Sequence, residues 1–279
     1  MSDIAQHLAV SHKVEFEDLD WETARRIGIT QREIETLHYF ADIESQTVHY
    51  FLEVAKLKVA RDPELLTFLT MWNYEEYFHS YALTHFMKQC GIEVESATAR
   101  AAEVRSGARF KAKFEDFAQS LIAKSMPKNF VALWMFWGSL QELLTTQAYE
   151  ELATTTQNPV LAELCKRIAR QERRHFAYYF GQARKKLEGQ RGAQMLVRWI
   201  AKNFYAPVGG GVKTDAEGAR LVAQLFPGER IYEVMSYIQK KMALLPGMEG
   251  LDCCTSWATR VQPMLPPDAR VVMPERYAA

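Results

Sequence analysis

Net charge is the first thing this sequence lacks. Its 279 residues carry 34 Lys and Arg against 34 Asp and Glu. No overall basic field exists to hold nucleic acid or an anionic lipid surface. Cysteine is scarce. Cys90, Cys165, Cys253 and Cys254 form no Cys-x-x-Cys pair, which excludes a zinc knot or a thioredoxin-type motif and leaves the adjacent Cys253 and Cys254 as ordinary reduced thiols. Long apolar runs are missing too. The longest, Val131 to Trp137, is too short to span a bilayer. The start, MSDIAQHLAVSHKVEFED, has neither the basic opening nor the apolar centre of a signal peptide. The expectation is a soluble cytoplasmic protein with no nucleic-acid partner and no membrane span.

What the chain does have is hydrophobic content, 48% of residues, at a length that supports a full core. The pattern is helical nearly throughout. Thr30-Gln31-Arg32-Glu33 reads as a capping box that starts a helix near Gln31, with apolar positions at Leu37, Ala41, Val48, Phe51, Leu52 and Ala55. Asp62-Pro63 pairs a good N-cap with a favoured first residue and starts a second helix, which Gly91 ends. Residues 92 to 126 read as a long crossover with a helix at about Ala97 to Lys124. A third helix is expected from about Pro127 to Ala153. Asn158-Pro159 repeats the cap-and-proline device and opens a fourth, to about Glu188. Helices at about Arg191 to Phe204, Asp215 to Phe226 and Glu229 to Leu245 follow, then a proline-rich irregular tail. The expected division is an N-terminal segment 1–29, a bundle 30–188 and a C-terminal extension 189–279.

Two helices carry Glu-x-x-His: Glu76-Tyr77-Phe78-His79 and Glu172-Arg173-Arg174-His175. Residues three apart share one helix face, so each pair can grip a metal ion. Chance alone supplies about one such match in a chain of this kind. Register separates these two from chance. Pro63 to Glu76 is 13 residues, and Pro159 to Glu172 is also 13. Each motif lies in an apolar stripe: Leu65, Leu69, Trp72, Leu83 and Phe86 around the first, Leu161, Leu164, Ile168 and Tyr179 around the second. The preceding helix of each hairpin offers a glutamate at matching height, Glu44 and Glu142, spaced 32 and 30 residues from Glu76 and Glu172. A third match, Glu35-Thr36-Leu37-His38, fails. Glu35 lies nine residues before Glu44, about half a rotation away, and is expected to face solvent. Four buried carboxylates and two imidazoles demand compensating positive charge, which two divalent cations supply. Mixed carboxylate and imidazole ligation suits iron or manganese better than zinc.

These residues resemble the soluble di-iron carboxylate oxidases, and within them the acyl-ACP desaturases, over about residues 30 to 188. Glu75-Glu76-Tyr77-Phe78-His79, Gln141-Glu142-Leu143-Leu144-Thr145 and the stretch from Asn158-Pro159 to Glu172-Arg173-Arg174-His175 carry the likeness. The resemblance implies an all-α, ferritin-like four-helix bundle with a long crossover between its second and third helices and extra C-terminal helices. It implies two iron ions per chain (or a manganese–iron pair) on Glu44, Glu76, His79, Glu142, Glu172 and His175, and Thr145 beside the O₂ site, with Thr146 its alternative. It also implies a small-molecule or carrier-bound acyl substrate, O₂, an external electron donor such as ferredoxin, and a homodimer.

The chain departs from the desaturase pattern at Ser80-Tyr81, where that family has Gly-Asp, and at Gln171, where it has an outer-shell Asp. Other activities share the fold: a biosynthetic N-oxygenase, a C–C-cleaving oxidase, and non-enzymatic iron storage. A radical subunit of ribonucleotide reductase is discounted, because Glu44 and Leu83 stand where that family has Asp and a tyrosine. Tyr77, Tyr81, Tyr149, Tyr178 and Trp72 are candidates for redox-active aromatics, with core packing as the plainer reading. The aromatic run Phe130 to Trp137 is expected to be core rather than pocket lining.

Overall fold

The computed structural model describes residues 3–55, 62–96, 98–99, 127–207 and 214–277. Among these the protein is all-α. Its helices are α1 (Asp3–Ala9), α2 (Trp21–Ile27), α3 (Gln31–Ala55), α4 (Pro63–Gln89), α5 (Pro127–Thr155), α6 (Pro159–Leu187), α7 (Arg191–Phe204), α8 (Asp215–Leu225), α9 (Arg230–Met242) and α10 (Cys253–Arg260). Short 3-10 turns finish the chain. The crossover helix expected at Ala97 to Lys124 falls almost wholly outside the described residues.

Local chemistry sets the helix starts as read. Glu33 N–H donates to Thr30 Oγ1 and the Glu33 carboxylate accepts from Thr30 N–H, which is the reciprocal capping box. Asp62 accepts from Glu64 N–H at the start of α4, and Asn158 accepts from Val160 and Leu161 N–H at the start of α6.

The four long helices pack as two hairpins, α3 on α4 and α5 on α6, and the hairpins face each other across the carboxylates and imidazoles described below. This is the arrangement of a four-helix bundle. The stripes named from sequence are inside: Leu65, Leu69, Trp72, Leu83 and Phe86 on α4, and Leu161, Leu164, Ile168 and Tyr179 on α6, are all buried. Gly138 lets α5 and α6 approach closely, since a Cβ there would sit 2.4 Å from Tyr179 Cδ1. The run Phe130 to Phe136 is core, as expected.

Four expectations need correction. Leu52 is exposed while Val54, two residues on, is buried, so the covered face at the far end of α3 does not include Leu52. Glu35 does not simply face solvent. It is half-buried beneath the C-terminal extension and pairs with Arg220 of α8. The N-terminal residues carry structure that periodicity did not reveal. α1 and α2 pack on α4 and α6, and Val14 and Phe16 between them are buried. Helix α10, ahead of the tail, was also missed, because its eight residues are too few to show a period.

Asn158 joins these layers. While its Oδ1 caps α6, its Nδ2 donates to Ala24 O (3.0 Å) and Gly28 O (2.9 Å) at the end of α2. Gly28 adopts φ 71°, a conformation an L side chain resists, and this turns its carbonyl toward Asn158. Asn158→Ala removes the cap, takes the side-chain donor from the Gly28 carbonyl and leaves Ala24 O to the Gly28 N–H. It is expected to cost about 2 kcal/mol of folding stability, read as a lower midpoint at unchanged slope in urea denaturation. A loss below a few tenths would show that the cap carries no load.

Candidate metal centre

Every one of the six residues singled out from sequence as a ligand is buried, and the bundle brings all six together. Glu44 (2% exposed) comes from α3, Glu76 (3%) and His79 (0%) from α4, Glu142 (7%) from α5, and Glu172 and His175 (both 0%) from α6. They form two overlapping groups: Glu44, Glu76, His79 and Glu172, then Glu76, Glu142, Glu172 and His175. Within each group the potential ligand atoms all lie within 4.8 Å of one another. Glu76 and Glu172 belong to both, so the arrangement is two pockets sharing two carboxylates.

The inner edges of the imidazoles define those pockets. His79 Nδ1 lies 2.9 Å from Glu172 Oε1 and 3.8 Å from both Glu44 Oε2 and Glu76 Oε2. His175 Nδ1 lies 3.0 Å from Glu76 Oε1, and 3.6 Å from both Glu142 Oε2 and Glu172 Oε2. Despite this crowding, both Nδ1 atoms, Glu76 Oε1 and both oxygens of Glu172 make no hydrogen bond. Buried polar atoms are ordinarily paired. Five of them unpaired around one point, in a mixed carboxylate and imidazole set, fit a site for metal cations.

An outer layer holds this cluster in place. Gln171, one residue before Glu172, accepts a hydrogen bond from His79 Nε2 at 2.7 Å. Glu75, one residue before Glu76, accepts one from His175 Nε2 at 2.6 Å. Each hairpin therefore supports the other hairpin's imidazole. With Nε2 donating outward, Nδ1 is the atom left for a metal. Trp72 Nε1 donates to Glu142 Oε1 (3.0 Å), and the Tyr149 hydroxyl donates to Glu44 Oε1 (2.6 Å). Arg174 approaches Glu75 Oε1 at 3.0 Å. The backbone of His12, from the N-terminal segment, meets both outer-layer residues: its N–H donates to Glu75 Oε1 (3.1 Å) and its carbonyl accepts from Gln171 Nε2 (2.9 Å).

The position before each Glu-x-x-His was thus the readable signal for Glu75 and Gln171. Nothing in the sequence marked His12. Of the aromatic candidates, Trp72 and Tyr149 touch ligand carboxylates. Tyr77 and Tyr81 are exposed on the outer face of α4, and Tyr178 stacks on Phe68. Thr146 bonds the Glu142 carbonyl of its own helix. Thr145 is half-buried and shares a cavity wall with Glu44. His38 and Glu35 belong to neither group.

Electrostatics divides the carboxylates by position. Burial, then the charges of its carboxylate neighbours, hold Glu44 well above the usual range; burial and the charges of Glu172 and Glu76 do the same to Glu142. The shared Glu76 and Glu172 are lowered. Burial opposes that, but the two imidazoles, and for Glu76 also Glu44, outweigh it. Burial alone would depress His79 and His175, yet the carboxylates around each raise both well above the ordinary imidazole value. Burial also works against Glu75, but His175 and Arg174 hold it at about 2.

Without metal, Glu44, Glu142, His79 and His175 hold their protons more tightly than the free side chains do. Metal replaces those protons, so binding releases them and affinity rises with pH. Calorimetric titration at pH 7 in buffers of different ionisation enthalpy should show net proton release, and apparent affinity should climb from pH 6 to pH 8. A buffer-independent heat would mean that the cluster enters deprotonated.

A family model described as fatty acid desaturase matches residues 45–200. That span holds five of the six residues, and Glu44 immediately precedes it. No curated protein and no solved structure matches the chain.

Proposed function

The chain belongs to the fatty acid desaturase family, matched over more than half of its length, and on that footing we propose that it is a di-iron oxidoreductase that uses O₂ to attack an unactivated C–H bond of an acyl substrate. A desaturase-type oxidoreductase with a buried carboxylate and histidine cluster is the common ground. The observation that carries the finer reading is the set of buried, unpaired ligand atoms facing one another from four helices.

In this reading Glu44 and His79 hold one iron, Glu142 and His175 the other, and Glu76 and Glu172 lie between them. Two irons there would supply the redox chemistry of O₂ activation, with electrons from an external donor such as a ferredoxin. Trp72 and Tyr149 fix the outward oxygens of Glu142 and Glu44, which leaves the second oxygen of each directed at the centre. The Tyr149 hydroxyl stays neutral, since burial and then the charge of Glu44 raise its pKa well above normal.

The substrate side is an apolar cavity that runs past Glu44 and Thr145. Phe40 and Ile43 of α3, Leu144 and Ala148 of α5, and Leu221 and Phe226 from the C-terminal extension line it. Such walls suit a hydrocarbon chain and exclude the water that would quench reactive oxygen chemistry. The interior is narrow, about 30 Å³, room for about one water, so in this reading the walls must move apart to admit a chain. Thr145 lines the cavity beside Glu44, and we assign its hydroxyl the handling of a proton there. The bundle 30–188 then carries the chemistry and 189–279 closes the substrate side. A homodimer and a carrier-bound acyl group are the further expectations.

The test supplies metal-loaded protein with reductant, O₂ and acyl thioesters of graded length, and looks by mass spectrometry for products two hydrogens lighter. Two irons per chain and such a product are expected. A mineral core holding many irons, or no oxidised product with any thioester, would overturn the reading. Ala148→Phe should fill the cavity and lower kcat/KM for long chains by about a hundredfold while iron content stays at two per chain. Equal activity on all lengths would place the substrate elsewhere.

A further inference from the structure

The internal duplication makes the two metal positions look equivalent, but their supporting residues differ. His175 Nε2 meets a carboxylate, Glu75 Oε2, at 2.6 Å. His79 Nε2 meets a neutral amide oxygen, Gln171 Oε1, at 2.7 Å. Both contacts are buried, and both occupy the same place in the repeat, one residue before the glutamate of a Glu-x-x-His.

An imidazole that donates to a carboxylate is a stronger electron donor through its other nitrogen than one that donates to an amide. Arg174 offsets part of the Glu75 charge, but it bonds Oε1, as does His12 N–H. Oε2 is left to His175. The remaining ligands do not reverse the difference. Each pocket has one terminal carboxylate, and each of those accepts one outside hydrogen bond, from Trp72 at Glu142 and from Tyr149 at Glu44. The phenolic hydroxyl at Glu44 is a more acidic donor than the indole N–H at Glu142, and draws more electron density from the His79 pocket. Both differences point the same way.

We infer that the two metal positions are unequal and fill in order, the pocket of Glu142 and His175 first and the pocket of Glu44 and His79 second, with Glu75 the positioning residue that sets the order. This rests on the six-ligand reading given above. The gap is on the order of tenfold or more in dissociation constant, the usual effect of an outer-shell partner on a metal ligand.

Anaerobic titration of the full chain with cobalt(II), followed by visible absorption and by calorimetry, reads the order directly. The wild type should bind two ions in two resolved steps. Glu44→Gln should keep the tighter step, and Glu142→Gln should lose it. Glu75→Gln, nearly the same shape, should weaken the tighter step about tenfold and leave the weaker one in place, with an unchanged helical circular-dichroism spectrum as the check on folding. Two equal steps in the wild type, a tight step that disappears with Glu44→Gln, or a Glu75→Gln variant with wild-type affinities would overturn the inference while leaving the two-metal reading intact. Fewer than two ions in the wild type would overturn both.

Discussion

Four carboxylates and two imidazoles share a space that water does not reach. Alone, that many like charges at the middle of a helical bundle would drive it apart or force most of them to take up protons. The rest of the structure is arranged so that the cluster is tolerable with cations present. Helix starts put the ligands at mid-bundle, apolar stripes seal them above and below, and a ring of donors and acceptors holds each one from behind. Such a cluster is costly for the fold on its own, and a bound cation would offset that cost and so couple its binding to stability.

The apolar cavity follows from the same geometry. Glu44 faces the centre through one oxygen and Tyr149 through the other, while the helix that carries it also presents Phe40 and Ile43 to the apolar cavity. One helix therefore spans the metal pocket and the cavity wall. The C-terminal extension adds the far wall through Leu221 and Phe226, and its Arg220 reaches back to Glu35 on α3. The wall is anchored to the element it helps to cover.

Much of this was legible in the residues. The six residues that meet at mid-bundle could be named because a cluster of this kind needs several residues at matched heights on several helices, and that leaves a register in the sequence. Pro63 and Pro159 stand 13 residues before the two motifs, and the caps at Thr30, Asp62 and Asn158 formed as read. What escaped had no period to betray it. The stretch around His12 meets the site through peptide groups, which are the same in every residue, and α1, α2 and α10 are too short for a repeat of apolar positions to appear. Leu52 misled because spacing tells which residues share a face, not which of them the neighbouring elements cover. The aromatic candidates sorted by direction: Trp72 and Tyr149 point inward and Tyr77 and Tyr81 outward, which helix spacing resolves only once the neighbouring helices are known.

The single peptide backbone of His12 deserves a last look for what it does to symmetry. A repeated half-site invites identical partners on both sides, and two acidic residues before the two motifs would be the symmetric solution. One strand of backbone crossing between them cannot offer both the same thing. Its N–H can meet only an acceptor and its carbonyl only a donor. Glu75 on the N–H side can be a carboxylate, whereas a carboxylate in place of Gln171 would face the carbonyl oxygen with nothing to donate. The amide is thus the residue that the passing chain selects. Direction enters a repeated core through the polypeptide that runs over it, and two matching half-sites are held apart in chemistry by which way the backbone is read.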